Sequence, residues 1–365
     1  MSKNFLPGLH GIRAIAAIAV IFSHTTAGLD RFGLDNRIFG LDAYGNVIAT
    51  DLAGFGVSMF FSLSGFLITY LLLREKRAGG VRIGKFYMRR VLRIFPLYYL
   101  YLGLVLLFLT CFGMGFDFGN LMLYVFLLGN IPFILGTPID FLGHFWSLGV
   151  EEQFYLFWPF LVKKVKNLMK WVLILLFALI ALKLGARFYD VLYHQSKPSL
   201  LYTILHVNRF QCMIIGGIGA ILFIQNHPVL RFIRNRWVEI GVWGILVLAA
   251  CNRFHIASVL DNEFIAFVTV VLIIQQVSYD RIMFSMDKGV FNWLGTISYG
   301  LYVFHPLVLL LATRFVHFGE SSIWNYLLSY GIVFSGTIAV SYLSYITFEC
   351  FFLRIKERKF TALQK

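Results

Sequence analysis

The residues best equipped for chemistry are a few arginines, histidines, acids and tyrosines set inside long apolar runs. In GIRAIAAIAVIFSHT, Arg13 and His24 stand eleven residues apart. At ~100° and roughly 1.5 Å per residue, that spacing falls within ~20° of three full turns and rises roughly 16 Å. A helix therefore carries both side chains on one face, the guanidinium at one membrane edge and the imidazole near the middle. A snorkelling arginine beside a packed histidine would need no function. The functional reading is a ruler: an anionic ligand gripped at Arg13 lays a long thin arm up the helix and presents its reactive end to His24. Coenzyme A has that shape, with phosphates at one end and a thioester at the end of a pantetheine arm.

Four other segments carry groups that lipid penalises by at least ~2.5 kcal/mol each. KFYMRRVLRIFPLYY holds Arg89, Arg90 and Arg93. Arg90 and Arg93 share a helical face and suit bidentate phosphate binding, although arginines here also serve as a positive flank facing anionic headgroups. HFWSLGVEEQFYLFWP places Glu151 and Glu152 at a depth like that of His24. A carboxylate next to a histidine fixes its tautomer and stabilises the imidazolium of a general base. Which of the two acids does so is open. His144 is expected at the outer interface, lining an acceptor entrance. WLGTISYGLYVFHPL brings Ser298, Tyr299, Tyr302 and His305, with His305 at about 18 Å depth, level with His24. Tyrosines bonded to a kink before Pro306 are the plainer account of that segment. Glu349 reads as the structural ion-pair partner of the arginine cluster.

The elements that must position these groups are transmembrane helices. The chain has 365 residues, is 59% hydrophobic and only 14% charged. A hydrocarbon core of about 30 Å needs about 20 apolar residues per crossing, and backbone groups in lipid must pair internally. Runs such as Trp171 to Leu182 are apolar on every face, so a barrel with alternating strands is excluded. The fold class is all-α: a polytopic transmembrane helix bundle of about ten membrane-spanning helices, with a short re-entrant or interfacial segment near 121–136, where Gly129, Asn130 and Pro132 interrupt the run. Residues 1–353 form a single transmembrane domain and 354–365 a short basic cytoplasmic tail. The first apolar stretch carries Arg13 and no small-residue cleavage site, so it is expected to remain as the first helix.

The net charge of +14 would suit nucleic acid in a soluble protein. Here it reflects positive-inside sorting, since ten crossings put 24 of the 32 lysines and arginines on one side. That orientation makes both termini cytoplasmic in a multi-pass protein of the cytoplasmic (inner) membrane, and nucleic acid is not a partner. The four cysteines, Cys111, Cys212, Cys251 and Cys350, are far apart and read as packing residues, and no metal is expected.

Taken together and in this order, the segments resemble the membrane O-acyltransferases of acyltransferase family 3, which modify cell-surface sugars. Arg13 and His24 match the family's arginine, ten residues, histidine pattern. GVSMFFSLSGFLIT is similar to its second helix, and FYMRRVLRIFPLYY to its RxxR segment, placing Arg90 and Arg93. WSLGVEEQFYLFWP resembles the segment with the family's glutamate, which matches Glu151 better than Glu152, and SYGLYVFHP the late tyrosine and histidine segment. The resemblance spans roughly residues 5 to 352.

It implies an enzyme that takes an acyl group from acetyl-CoA or another acyl-CoA on the cytoplasmic side, with no metal, and moves it to a hydroxyl of a glycan or glycolipid acceptor on the outer side. Arg13, Arg89, Arg90 and Arg93 would hold the donor. His24 with Glu151 would be catalytic, and Glu152, His144, Ser298, Tyr299, Tyr302 and His305 would meet substrate. The family's closing motif is glutamate, any residue, proline, whereas Glu349 is followed by Cys350 and Phe351. A fused extracytoplasmic hydrolase-like domain found in some relatives has no counterpart here, implying that the chain acts alone or with a separate partner. A proton-coupled transporter of a small solute is the rival, because buried His and Glu also build proton relays.

Overall fold

In the computed structural model, residues 6–41, 45, 47–193, 197–278 and 282–361 are described. The first five residues, the first three residues of the inner segment expected over Tyr279 to Lys288, and the last four residues of the expected tail lie outside them. The tail itself, where described, prolongs the last helix through Cys350–Lys356 and Glu357–Thr361.

The chain is an all-helical bundle. Among the described residues, seven helices are long and apolar enough to cross a membrane, namely Leu9–Ala27, Asp51–Arg77, Ile83–Cys111, Leu168–Leu192, Leu200–Ile224, Asp261–Ser278 and Ile323–Phe360. An eighth crossing is counted if Gly289–Thr296 and Ser298–Phe315, which meet at 70°, form one span. Two of the expected ten fall short of that measure for physical reasons. Trp146–Lys164 carries Glu151, Glu152, Lys163 and Lys164, and Arg236–Ala250 has only 15 residues. At 1.5 Å per residue the latter reaches about 22 Å, less than the ~30 Å hydrocarbon core. The interrupted segment forms two short helices, Phe118–Val125 and Asn130–Ile134, neither able to span.

Lipid explains the outer surface. Trp171, Phe177, Leu182 and Phe188 on Leu168–Leu192 are exposed, and only 22% of that helix's most apolar window is buried. The polar ends sort to two faces. Lys76 donates to the carbonyls of Val162 and Val165 at 2.6 and 2.9 Å, Arg77 to Ile224 at 3.2 Å, and Arg234 to Ser278 at 3.0 Å. These contacts gather the basic helix ends on one face, here the basic face. At the other, Ser23 donates to the Thr50 carbonyl at 2.8 Å and the Phe318 amide to Phe32 at 2.8 Å.

Between the faces, helices approach closely where side chains are small. A Cβ on Gly65 would strike the Met213 carbonyl, and one on Gly216 the Ser62 carbonyl, so Asp51–Arg77 and Phe210–Ile224 touch backbone to backbone. Polar bonds across the packed helices complete the seam, as where the Trp158 indole donates to Thr69 at 2.8 Å.

Candidate active site

Five helices converge on a cavity of about 80 Å³ lined by Arg13, Arg90, Arg93, Glu151, Tyr299 and Tyr302, together with Ser64, Ser147, Tyr155, Ser298 and apolar side chains. Leu9–Ala27 supplies Arg13 near its basic-face end. Arg90 and Arg93, one turn apart on Ile83–Cys111, enter from the same end, and the Arg90 guanidinium lies 5.7 Å from the ring centres of both Phe86 and Tyr155. Its Nε is buried without a hydrogen-bond partner. None of the four ion pairs among the described residues involves Arg13, Arg90 or Arg93. Guanidinium groups gathered around a low-dielectric space without paired acids are poised for an anion that brings its own charge.

Glu151 is the acid on this cavity. Its Oε1 accepts from Ser64 at 2.7 Å and its Oε2 from Tyr155 at 3.1 Å. Glu152 does not line it, and its Oε1 is buried without a partner. Tyr299 donates to the Ile94 carbonyl at 2.9 Å, tying Ser298–Phe315 to the arginine-bearing helix.

Deeper in the bundle lies a histidine group. His24 Nδ1 and His305 Nε2 are 2.7 Å apart, and His305 Nδ1 is 3.2 Å from the Leu301 carbonyl. A carbonyl only accepts, so His305 Nδ1 carries the proton and His305 Nε2 must accept from His24 Nδ1–H. That leaves His24 Nε2 with its lone pair, the state a general base requires. The sequence expectation that Glu151 or Glu152 orients His24 is therefore revised: His24 donates to His305, and Glu151 is engaged by Ser64 and Tyr155.

Tyr302 divides the two groups. It lines the cavity, its hydroxyl donates to the His144 carbonyl at 2.7 Å and lies 2.5 Å from Ser147 Oγ, and its ring is 5.9 Å from that of His305. His24, His144 and His305 are not among the cavity's lining residues.

Four further expectations change. His144 is 7% exposed rather than interfacial, because the 3₁₀ turn Gly143–Phe145 folds its ring onto Tyr101, Tyr302 and His305. Arg89 faces away from the cavity and pairs with Glu75 at 2.5 Å. Glu349 makes no ion pair among the described residues; it accepts from Ser344 at 3.3 Å. The bend near Ser298 lies at Ile297, ahead of Pro306, which sits inside a continuous helix.

Residues 6–346 match the acyltransferase 3 family, described as an acyltransferase domain. The chain belongs to acyltransferase family 3. Among curated proteins, it is 27% identical to the peptidoglycan O-acetyltransferase OatA of Listeria monocytogenes over 91% of this chain and 54% of that one. It is 28% identical to the putative peptidoglycan O-acetyltransferase YrhL of Bacillus subtilis, over 89% and 52%, and 26% identical to O-acetyltransferase OatA of Staphylococcus aureus, over 90% and 54%. The chain thus spans about half the length of these relatives. No solved structure matches it.

For this acyltransferase 3 chain, several neighbours of the site escaped the sequence reading. Ser64, Ser147 and Tyr155 looked like ordinary polar residues of apolar helices; only their shared closeness to Glu151 and Tyr302 sets them apart. A buried pair, Lys183 to Glu263 at 2.7 Å, was equally unmarked, although an acid and a base inside apolar runs were the available signal.

Proposed function

We propose that the chain is a membrane O-acyltransferase that moves an acyl group, most readily acetyl, from acyl-CoA on the cytoplasmic side to a hydroxyl of a cell-wall glycan on the other. The reading rests on one observation above all: guanidinium groups that join no ion pair among the described residues meet at the basic-face end of a cavity whose far end is one tyrosine from a histidine pair with a free lone pair. The relatives' names support the acceptor class, and positive-inside sorting supports a cytoplasmic basic face in the inner membrane, with bilayer lipid around it.

On this reading Arg90, Arg93 and Arg13 hold the donor's phosphates, and the pantetheine arm passes Tyr302. A cavity of about 80 Å³ has room for only a few waters, each about 30 Å³, so the donor must push Tyr302 and its neighbours apart as it enters. His24 Nε2 takes the proton of the acceptor hydroxyl as its oxygen attacks the thioester carbonyl. The carbon–sulfur bond then breaks, and the coenzyme A thiolate leaves and recovers that proton from the imidazolium. His305 holds the His24 tautomer and accepts a stronger hydrogen bond from the imidazolium while the charge lasts. Glu151 keeps Ser64 and Tyr155 in place beside the arginines.

The test is thermal unfolding of the purified protein with coenzyme A. At a hundredfold excess over Kd the ligand adds about 2.7 kcal/mol of stability, and the gain should vanish in Arg90→Gln/Arg93→Gln. An unchanged unfolding temperature for the wild type would refute donor binding, which is also what a transporter would give.

A further inference from the structure

A second guanidinium, on the face opposite the basic one, is used by nothing above. Leu200–Asn208 and Phe210–Ile224 are separated by Arg209, whose φ of 44° and ψ of 33° place a non-glycine residue in the left-handed region. The break turns its side chain into the bundle, where it is only 9% exposed. Neutral acceptors alone hold it there. Its Nε donates to the His206 carbonyl at 3.1 Å, and its Nη1 to the Gly54 carbonyl at 2.9 Å, Asn262 Oδ1 at 2.9 Å and Ser58 Oγ at 3.3 Å. Nη2 makes none of these bonds, and Arg209 joins none of the ion pairs among the described residues.

The nearby acids make no ion pair with it. Asp261 accepts from the amides of Ile256 and Ala257 at 2.9 and 3.0 Å and pairs with His255 at 2.7 Å, while Glu263 pairs with Lys183 through Oε1 and leaves its buried Oε2 without a hydrogen-bond partner. A fixed positive charge therefore stands at the base of a basin of about 1190 Å³. Its walls mix the rings of Phe22, Phe55 and Phe254 with the polar side chains of His206, Asn252 and Ser258. Asp51 and Arg253, both exposed at the basin, carry opposite charges. The volume exceeds the usual small-molecule range, about 300–1,000 Å³, leaving room for more than one sugar ring, and flat apolar faces beside hydrogen-bonding groups suit the alternating faces of a sugar. One layer of side chains parts the basin from the donor cavity. The Trp146 ring lies 5.3 Å from the Arg209 guanidinium and 6.0 Å from the ring of Phe61, which lines that cavity.

We propose that this basin is the acceptor site and that it takes a carboxylate-bearing saccharide, whose carboxylate pairs with Arg209. The proposal rests on the acyltransferase reading and names the chemical class of its acceptor. Neutral sugars fill the same space but leave the guanidinium unpaired, so the carboxylate is what the site selects.

The test uses the full chain in lipid nanodiscs and two matched probes, a hyaluronan tetrasaccharide with alternating glucuronate and chitotetraose without any carboxylate. The wild type should bind the hyaluronan fragment at least about tenfold more tightly, the range of one charge-assisted hydrogen bond. Arg209→Gln should erase the preference while coenzyme A affinity, measured in the same preparation, stays within about twofold. Should Arg209→Gln not fold, Ser258→Trp, at an exposed position of the basin, should weaken the hyaluronan fragment by a similar factor and spare coenzyme A. Equal affinity for the two probes, a preference that survives Arg209→Gln, hyaluronan-fragment binding left unchanged by Ser258→Trp, or tighter Arg209-dependent binding of glycerol phosphate as a lipid headgroup mimic would overturn the proposal. Failure of the wild type to bind coenzyme A would instead count against the acyltransferase reading itself.

Discussion

The two guanidinium sites at the two ends of the bundle handle positive charge in opposite ways. At the basic face, Arg13, Arg90 and Arg93 crowd a narrow space with Glu151 as the one acid, and Arg90 leaves its Nε without a partner. At the other face one buried guanidinium, Arg209, is bonded by Gly54, Ser58, His206 and Asn262 beneath a wide basin whose exposed Arg253 stands with Asp51. Crowded like charges are costly until a polyanion arrives, which suits a donor with several phosphates. One well-held charge costs less and discriminates by geometry, which suits an acceptor chosen for one group. The histidine pair lies between these regimes and carries no acid partner.

Substitutions can break or sharpen that contrast, and the largest effect is expected at the midpoint. His24→Ala should lower transfer by roughly 10²–10⁴-fold, the usual share of a general base, while coenzyme A affinity stays near wild type. Turnover and binding measured on one preparation check this, and wild-type-like turnover would remove His24 from the mechanism. Next comes stability. Lys183→Met should cost about 3–5 kcal/mol because it strands the buried Glu263 carboxylate, and Lys183→Met/Glu263→Leu should recover most of it. Chemical or thermal unfolding in detergent reads both.

At the basic end, Arg90→Gln should weaken coenzyme A by roughly 10–100-fold, whereas Arg89→Gln, which loses only a pair with Glu75, should change it by no more than about fivefold. Equal losses would mean that the cavity does not select among the three arginines of this segment. A smaller effect separates the two candidate partners of His24. His305→Ala should lower kcat by about tenfold with KM little changed, and Glu151→Gln should act mainly on donor affinity. The reverse pattern would return the orienting role to Glu151.

Helical periodicity made a good part of this site readable in advance. Arg13 and His24 share an uninterrupted helix, Leu9–Ala27, and Arg90 and Arg93 turn to one cavity, because spacing within a helix fixes which face a side chain takes. Relations between helices were not readable that way. Choosing His305 over Glu151 as the partner of His24 depends on how Leu9–Ala27 and Ser298–Phe315 slide against each other, which no single-helix pattern records. The burial of His144 depends on a three-residue 3₁₀ turn, and the aim of Arg209 on a left-handed break inside an apolar run. Apolar length recognises seven spans among the described residues, because charged side chains lower the hydropathy of a helix such as Trp146–Lys164 with its two glutamates.

On the proposed mechanism the donor enters from the basic face and threads past Tyr302 to His24. A structure of the protein with bound coenzyme A would show it: phosphates against Arg90 and Arg93, Tyr302 displaced from Ser147, and the sulfur beside His24 Nε2. Coenzyme A seated in the Arg209 basin, or bound with its sulfur away from His24 and Tyr302 still on Ser147, would contradict it.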